Sequence, residues 1–205
     1  MNELTLYTNP MSRGRIARWM LEETGAPYDT VLLDFGSTMK DAAFLAINPM
    51  GKVPVIQHGD TVVTEAAAIC AYLADAFPEK KLAPPLDQRG AYYRWLFFAA
   101  GPMEAAVTAK ALGLLAPADK GGMAGYGSFE QTIDTLERAV AGREFIAGDD
   151  FTAADVYVGS QIGWGLLFGT IEKRAAFTEY VGRLQARPAA QRASSLDDAA
   201  MPKKS

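Results

Sequence analysis

NPMGKVPVI at residues 48–56 and VTEAAAI at residues 63–69 are the two stretches that decide the fold. The first predicts a loop that runs into a short strand, with Pro54 at the strand entrance, where a missing N–H weakens the ladder least and a cis bond costs little. The second places Glu65 at the first turn of an alanine-rich helix, where backbone N–H groups are free and the dipole is positive. Together they predict a small polar pocket for a zwitterionic, peptide-like ligand.

The elements around this pocket predict a small α/β domain. An alternating, β-rich strand is followed by a helical spacing with Ser12 as N-cap and Gly25 as the closing glycine. Strand, helix and strand in close succession form a βαβ unit, which implies a parallel pair of strands. The predicted elements are a strand at 4–7, a helix at 12–25, a strand at 28–33, a helix at 39–47, a hairpin at 55–63 and a helix at 65–77.

The chain changes character after residue 78. PEKKLAPP at 78–85 is rich in proline and charge and lacks periodicity, which indicates a linker. The remaining sequence has helical spacing without strand signals, and FTAAD at 151–155 is typical of a capping box that opens a helix. We expect Gly101-Pro102 to kink or end the first helix of this half. The predicted domains are 1–78 and an all-helical 88–205, joined by a linker at 79–87.

The composition limits the classes of function. With 205 residues, of which 49% are hydrophobic and 21% charged, the chain is typical of a globular protein of one or two domains. Its net charge of −4 argues against a nucleic-acid partner. A single cysteine, Cys70, excludes a disulfide framework, no side chains have metal-ligand spacing, and no signal peptide or membrane span is apparent. We therefore expect a cytoplasmic protein without a metal.

Several motifs in order make the chain resemble the cytosolic glutathione S-transferases, in particular bacterial enzymes of the serine type. Each motif alone is common, but their order and spacing match the family nearly from end to end. The resemblance implies a thioredoxin-like α/β N-terminal domain, an all-α C-terminal domain, glutathione as co-substrate and a homodimer. The motifs are SRGR at 12–15, VP at 53–54, TEAAAI at 64–69, FTAAD at 151–155 and ARPA at 186–189.

The resemblance places the thiol-activating residue near the start of the first helix. Ser12 matches the serine that donates a hydrogen bond to the glutathione thiolate, and the N-terminus of a helix adds to this effect. Lowering a thiol pKa from about 8.5 by about two units requires roughly 2.7 kcal/mol, which a charge-assisted hydrogen bond and a helix dipole can supply. Alternatively, Ser12 only caps its helix, or Tyr7 activates the thiol, as in tyrosine-type enzymes.

Further residues are assigned to glutathione by the same resemblance. The backbone of Val53, before Pro54, would pair with the cysteinyl part, and Lys52 would reach the glycine carboxylate. Glu65 would bind the γ-glutamyl ammonium, and the N–H of Ala66 would bind its α-carboxylate. The family usually has serine after the acid, so Ala66 removes one hydrogen-bond donor. Lys52 and Glu65 also have ordinary explanations, as a solvated lysine and as an acid at a helix N-terminus.

Cations and apolar side chains complete the candidate site. Arg13 and, more weakly, Arg15 could steer an anionic ligand or pair with acids elsewhere in the fold. Met103, Tyr126 and Trp164 are candidates for an apolar pocket that holds an electrophile, although such side chains more often form core.

The predicted function is transfer of the glutathione thiolate to a hydrophobic electrophile. Two alternatives stay open, because one fold serves several ends. The first is another glutathione-dependent enzyme, such as an isomerase, dehalogenase or disulfide reductase. The second is a non-catalytic domain for binding or assembly.

Overall fold

The computed structural model describes residues 3–202, and its elements follow the predicted order. Over this range, strands occur only before residue 82, and helices continue to the C-terminal end. The elements are β1 (Leu4–Thr8), α1 (Gly14–Thr24), β2 (Asp29–Leu32), α2 (Ala42–Ile47), β3 (Val55–His58), β4 (Thr61–Thr64), α3 (Ala66–Ala76), α4 (Gly90–Phe98), α5 (Glu104–Ala111), α6 (Phe129–Val140), α7 (Ala153–Phe168), α8 (Ala175–Gln185) and α9 (Pro188–Ala199).

The strands form one mixed sheet in the order β2-β1-β3-β4. β1 is parallel to β2, as the βαβ unit requires, and antiparallel to β3, which forms a hairpin with β4. Gly59 lies in the hairpin turn with a φ of 57°, a left-handed conformation that glycine adopts without steric cost. This sheet, with the helices that follow it, confirms the predicted thioredoxin-like α/β domain and helical C-terminal half.

Side-chain alternation along β1 defines the two faces of the sheet. Tyr7 packs with a cluster on the α2 side that includes Phe44 and Val55. Successive residues of a strand point to opposite faces, so Leu6 and Thr8, both fully buried, point toward α1 and α3. The end of β1 therefore supports α1 directly, which fixes where the helix begins.

Residues 82–185 form a compact unit that is helical throughout its regular elements. A π-type turn at Ala99–Met103 contains Gly101 and Pro102 and joins α4 to α5 without a gap, so the helix does not end there and the expected kink stays a prediction. α7 begins with the predicted capping box, in which the Asp155 carboxylate accepts from the N–H of Thr152 (2.9 Å). Asp155 also accepts from the N–H of Ile146 (2.8 Å) and the hydroxyl of Tyr180 (2.7 Å), so it joins the start of α7 to α8.

Residues 3–81 form the other compact unit together with residues 186–202. Its last helix, α9, packs against α1, although the sequence predicts one helical domain over 88–205. The grouping has a physical reason, because α9 and α1 are joined by ion pairs between side chains that lie far apart in the sequence. The division into domains at 78 and 88 stays a prediction.

Candidate functional site

Strand register brings three of the predicted site segments to one end of the sheet. Tyr7 of β1 is paired with Val55 of β3, which is paired in turn with Thr64 of β4. The loop after β1, the segment before β3 and the start of α3 therefore lie side by side. These segments contain the predicted residues Ser12, Val53 and Glu65.

The loop between β1 and α1 is ordered by the side chains of Asn9 and Ser12. Asn9 is buried, and its Nδ2 donates to the carbonyl of Leu33 (2.8 Å). The Ser12 hydroxyl donates to the carbonyl of Asn9 (2.7 Å) and accepts from the N–H of Gly14 (2.9 Å). The predicted N-cap at Ser12 is wrong by one residue, because α1 begins at Gly14 after Arg13. The serine nevertheless binds the first turn of the helix.

The Ser12 hydroxyl can exchange its carbonyl partner for an anion. Rotation about the Cβ–Oγ bond redirects the proton without moving the oxygen. The Gly14 N–H that donates to this oxygen polarises the hydroxyl and strengthens it as a donor. A hydrogen bond to a charged group is worth about 1.5–3 kcal/mol, against about 0.5–1.5 kcal/mol for the neutral one it replaces. A thiolate in place of the carbonyl would therefore gain about 1 kcal/mol. The N-terminus of α1 would have to supply the remainder of the roughly 2.7 kcal/mol that a two-unit shift of a thiol pKa requires.

Two arginines flank Gly14 at this end of α1 and differ in their surroundings. Arg13 is exposed at the residue that precedes the helix. Arg15 is held by its neighbours, since its Nε donates to the carbonyl of Pro10 (2.6 Å) and its NH2 donates to Asp198 (2.7 Å). Arg15 is therefore held by structural contacts, and the Arg13 side chain is exposed to solvent.

Tyr7 points away from the Ser12 loop. Its ring lies against Phe44, with centroids 5.8 Å apart, and its hydroxyl donates to Oε1 of Gln57 (3.3 Å). The next residue, Thr8, is the one whose side chain faces α1. The geometry favours Ser12 over Tyr7 as the residue that meets a thiol.

The segment before β3 presents backbone groups. The Val53–Pro54 peptide bond is cis, the form that costs little before proline, and the pairing of β3 with β4 begins only at Val55. The peptide groups of Val53 therefore lie outside that pairing, where an extended ligand can pair with them. Lys52 is exposed, and its carbonyl accepts from Nδ2 of Asn48 (2.8 Å), which orders the loop.

Glu65 has a strained backbone at the start of α3. Its φ of 65° and ψ of 116° lie outside the regions that residues with a Cβ readily adopt, at a cost of about 1–3 kcal/mol. The residue accepts the first helical hydrogen bond through its carbonyl, from the N–H of Ile69 (2.9 Å), while its side chain is exposed. Ala66 follows as the first helical residue. Strain of this kind gathers at functional sites, which supports a binding role for Glu65.

The three side chains predicted for an apolar pocket lie in the unit of residues 82–185, in different settings. Met103 is 1% exposed, which fits the core interpretation. Tyr126 is half-buried, and its hydroxyl accepts from the N–H of Ala116 (2.8 Å). Trp164 is also half-buried, with its ring centroid 6.5 Å from that of Phe168. Of the three side chains, only Tyr126 and Trp164 have solvent-accessible surface that a ligand could contact.

Metal and cysteine chemistry find no support in the described residues. Between residues 3 and 202, no three His, Cys, Asp or Glu side chains are arranged to hold a metal ion. Burial raises the pKa of the Cys70 thiol, which keeps it protonated and removes it as a candidate nucleophile. The helices of this same range are too short or too polar to cross a bilayer.

Sequence reasoning missed the contributions of Thr8, Asn9 and Gly14. A Cβ on Gly14 would lie 1.8 Å from Oγ1 of Thr8, so only glycine fits where α1 rests on β1. Asn9 is given no role by the sequence analysis, yet it orders the Ser12 loop from a buried position. The available signal was the pair of small polar residues, Thr8 and Asn9, where the first strand ends.

Comparisons with known proteins give a consistent result. A family model described as glutathione S-transferase, N-terminal domain, matches residues 2–75. The chain is 28% identical to the glutathione S-transferase hmp2 of Hypomyces subiculosus, across 90% of this chain and 94% of that protein. A solved glutathione transferase from Methylococcus capsulatus is 30% identical, with a TM-score of 0.79, and covers 96% of this chain and 99% of its own. A sphingomonad glutathione S-transferase complexed with glutathione is also 30% identical, with a TM-score of 0.74, and covers 95% of this chain and 98% of its own.

Proposed function

Because this chain belongs to the glutathione S-transferase family, we propose that it is an enzyme that transfers the thiolate of glutathione to hydrophobic electrophiles. The observation that supports this most is the meeting of Ser12, the cis Val53–Pro54 bond and the strained Glu65 at one end of the sheet. They offer a hydroxyl donor, unpaired strand-like backbone and a carboxylate beside a helix N-terminus. Glutathione carries a complementary thiol, an extended peptide and an ammonium group next to a carboxylate.

In the proposed complex, each part of glutathione has its own partner. The backbone of Val53, before Pro54, pairs with the cysteinyl residue. The Glu65 carboxylate accepts the γ-glutamyl ammonium, and the N–H of Ala66 binds the α-carboxylate at the N-terminus of α3. Ala66 lacks the hydroxyl that the family usually has here, which weakens binding by about 0.5–1.5 kcal/mol.

Exposed cations are proposed to attract the carboxylates of the ligand. Lys52 reaches the glycine carboxylate, and Arg13 adds positive potential near the thiol. Both side chains are exposed, so their contribution is screened by salt and acts mainly on the rate of association.

Ser12 assists the ionisation of the thiol, which is the step that creates the nucleophile. At neutral pH a thiol with a pKa of about 8.5 is ionised to only a few per cent, whereas one with a pKa near 6.5 is mostly thiolate. The thiol proton leaves to solvent, and the Ser12 hydroxyl and the α1 N-terminus stabilise the sulfur anion. The sulfur then forms a bond to an electrophilic carbon, and the leaving group departs with its electron pair.

The electrophile is proposed to contact Tyr126 and Trp164, whereas Met103, which is 1% exposed, belongs to the core. Their apolar surfaces favour hydrophobic substrates through burial rather than through directed hydrogen bonds. By family membership we also propose a homodimer in the cytoplasm.

Two other functions would use the same fold. An isomerase, dehalogenase or disulfide reductase would keep the glutathione site and change the acceptor, and a non-catalytic relative would lose the ligand. The strain at Glu65 favours a ligand-binding protein, because the chain would gain about 1–3 kcal/mol by relaxing it.

Titration calorimetry with glutathione tests the proposal on wild type, Ser12→Ala and Ser128→Ala. Ser128 is a matched control, because it accepts from the N–H of Gln131 (3.1 Å) at the start of α6, far in sequence from the site. We expect wild type and Ser128→Ala to bind glutathione and to lower its thiol pKa by about two units, measured by thiolate absorbance. Ser12→Ala should bind nearly as well, raise that pKa by about one unit and lose about tenfold in kcat/KM toward chlorodinitrobenzene.

The outcomes separate the three functions. If wild type does not bind glutathione, the enzyme proposal is refuted and the non-catalytic function is favoured. Binding without conjugation, together with reduction of a glutathione mixed disulfide, would favour a reductase. If Ser12→Ala keeps the wild-type thiol pKa, the thiolate is stabilised by backbone groups and the role of Ser12 is refuted.

A further inference from the structure

Charged side chains on α1 and α9 are placed against the dipoles of their own helices. In both helices arginines precede acids, whereas helices favour anions at their N-termini and cations at their C-termini. The two helices run antiparallel, so each cation meets an acid of the other helix. The pairs are Arg15–Asp198 (2.7 Å), Arg18–Asp197 (2.8 Å), Glu22–Arg192 (3.2 Å) and Glu23–Arg187 (2.8 Å).

Arg15 connects this helix pair to the candidate site. Its Nε donates to the carbonyl of Pro10 at 2.6 Å, and its NH2 donates to Oδ1 of Asp198 at 2.7 Å. Pro10 follows Asn9, whose carbonyl accepts the Ser12 hydroxyl. One guanidinium therefore links the C-terminal helix to the turn that carries the proposed thiolate donor.

A buried ion pair between Arg18 and Asp197 holds α9 in place on α1. Their side chains are 5% and 0% exposed, and Nε of Arg18 lies 2.8 Å from Oδ1 of Asp197. Removing one partner of a buried ion pair is strongly unfavourable, so the pair fixes the register of α9 on α1. Asp198 is adjacent to Asp197 and is thereby held beside Arg15, although its own side chain is 62% exposed.

We propose that α9 positions the turn of residues 9–12 through Arg15, so that Arg15 and Asp198 are positioning residues for thiolate formation. The inference rests on the proposed role of Ser12. A guanidinium bound at both Nε and NH2 has a fixed plane, and the Pro10 carbonyl cannot shift without breaking one of these bonds. When the link is lost, the Ser12 hydroxyl spends less time facing the sulfur, and the pKa of the bound thiol rises.

Asp198→Ala, which removes both the charge and the acceptor of the Arg15 hydrogen bond, separates positioning from simple electrostatics. The substitution removes a negative charge near the N-terminus of α1 and leaves the Arg15 cation in place. Electrostatics alone would then stabilise a thiolate and lower the thiol pKa. Loss of the link would raise the thiol pKa, so the two explanations predict opposite signs.

Arg15→Lys and Arg192→Lys form a matched pair for the second test. Arg192 also joins a carboxylate to a carbonyl, through contacts to Oε2 (3.2 Å) and the main-chain oxygen (3.3 Å) of Glu22, but at the far end of α1. Lysine keeps the charge at either position and cannot hold two acceptors in one plane. Comparing the two variants therefore tests whether the location of the lost contact matters, because each variant weakens one such link.

Two measurements are made on the full chain. The first is amide hydrogen exchange at Ser12 and Gly14 without ligand, which reports the order of the turn. We expect Asp198→Ala and Arg15→Lys to accelerate exchange by about threefold to tenfold and Arg192→Lys to leave it unchanged. The second is the pKa of the thiol of glutathione bound to each variant. This pKa should rise by about half a unit to one unit in the Asp198 and Arg15 variants and stay unchanged in the Arg192 variant.

Each possible result of these measurements would overturn a different part of the proposal. Equal exchange rates in all variants would overturn the positioning role, whatever the protein binds. Faster exchange with a lowered thiol pKa in Asp198→Ala would show that the charge of Asp198 affects the thiol and that the link through Arg15 does not. If wild type fails to bind glutathione, the proposed function falls, and the exchange rates still decide whether α9 orders the turn.

Discussion

Replacing Gly14 by alanine tests how closely α1 rests on β1. The added Cβ would lie 1.8 Å from Oγ1 of Thr8 and 3.0 Å from Oγ of Ser12, whereas carbon makes favourable contacts at about 3.5–4.0 Å. Thr8 is fully buried, so either its side chain or the first turn of α1 must move by more than an ångström. Overpacking of this kind costs about 1–3 kcal/mol, and the better helix propensity of alanine returns at most about 1 kcal/mol.

We expect Gly14→Ala to lower Tm by about 2–8 °C in scanning calorimetry, since 1 kcal/mol corresponds to about 2–4 °C in a chain of this size. Gly90→Ala is the position-matched control, because Gly90 is the first residue of α4 and a Cβ there meets no atom within 4 Å. This control should leave Tm unchanged or raise it slightly.

A double-mutant cycle identifies the contact responsible. Thr8→Ala removes Oγ1, so the pair Thr8→Ala/Gly14→Ala should recover much of the lost stability, with a coupling of about 1 kcal/mol or more. The reasoning would be refuted if Gly14→Ala were as stable as Gly90→Ala, or if the two substitutions at the end of β1 were simply additive.

Two further predictions concern buried carboxylates. Asp155→Asn should lower the free energy of unfolding by about 2–4 kcal/mol in urea titrations, because an amide NH2 cannot accept all the donors that face this carboxylate; Tyr180→Phe, which removes one donor, should cost less. Burial raises the pKa of Asp197 above its usual 3.8, so the folded protein holds this proton more tightly than the unfolded chain. Its stabilising contribution is present below pH 3.8 and is lost as the pH rises through the folded-state pKa. The unfolding free energy of wild type relative to Asp197→Asn should therefore decrease as the pH rises from 3.8 through that pKa, and a flat difference would contradict the shift.

Local sequence signals predicted most of the elements within residues 3–81. Alternation predicted β1, a closing Gly25 in the left-handed conformation ended α1, and a two-residue turn joined β3 to β4. The capping box at Thr152 was equally readable, because its partners are separated by only three residues. Such features depend on contacts within one or two turns of chain, which is the range that a sequence pattern records.

Contacts between distant segments were not readable in the same way. No pattern in the sequence matches Arg15 to Asp198, since each has an ordinary explanation as a solvated charge. The same holds for Thr8 and Gly14, which meet only because β1 ends beneath α1. The strained φ of Glu65 is likewise a result of packing, because no local preference favours it.

The sequence by itself determined the order of the elements, the proline at the entrance of β3 and the types of chemical groups at the candidate site, because propensity, periodicity and capping act over a few residues. The tertiary structure alone decided which groups meet. The register of β1, β3 and β4 brought Ser12, Val53 and Glu65 to one end of the sheet, and the alternation in β1 turned Tyr7 away from them. The tertiary structure also placed α9 on α1 through paired charges. The physical reason is that burial and ion pairing act between groups that are close in space, whatever their separation along the chain.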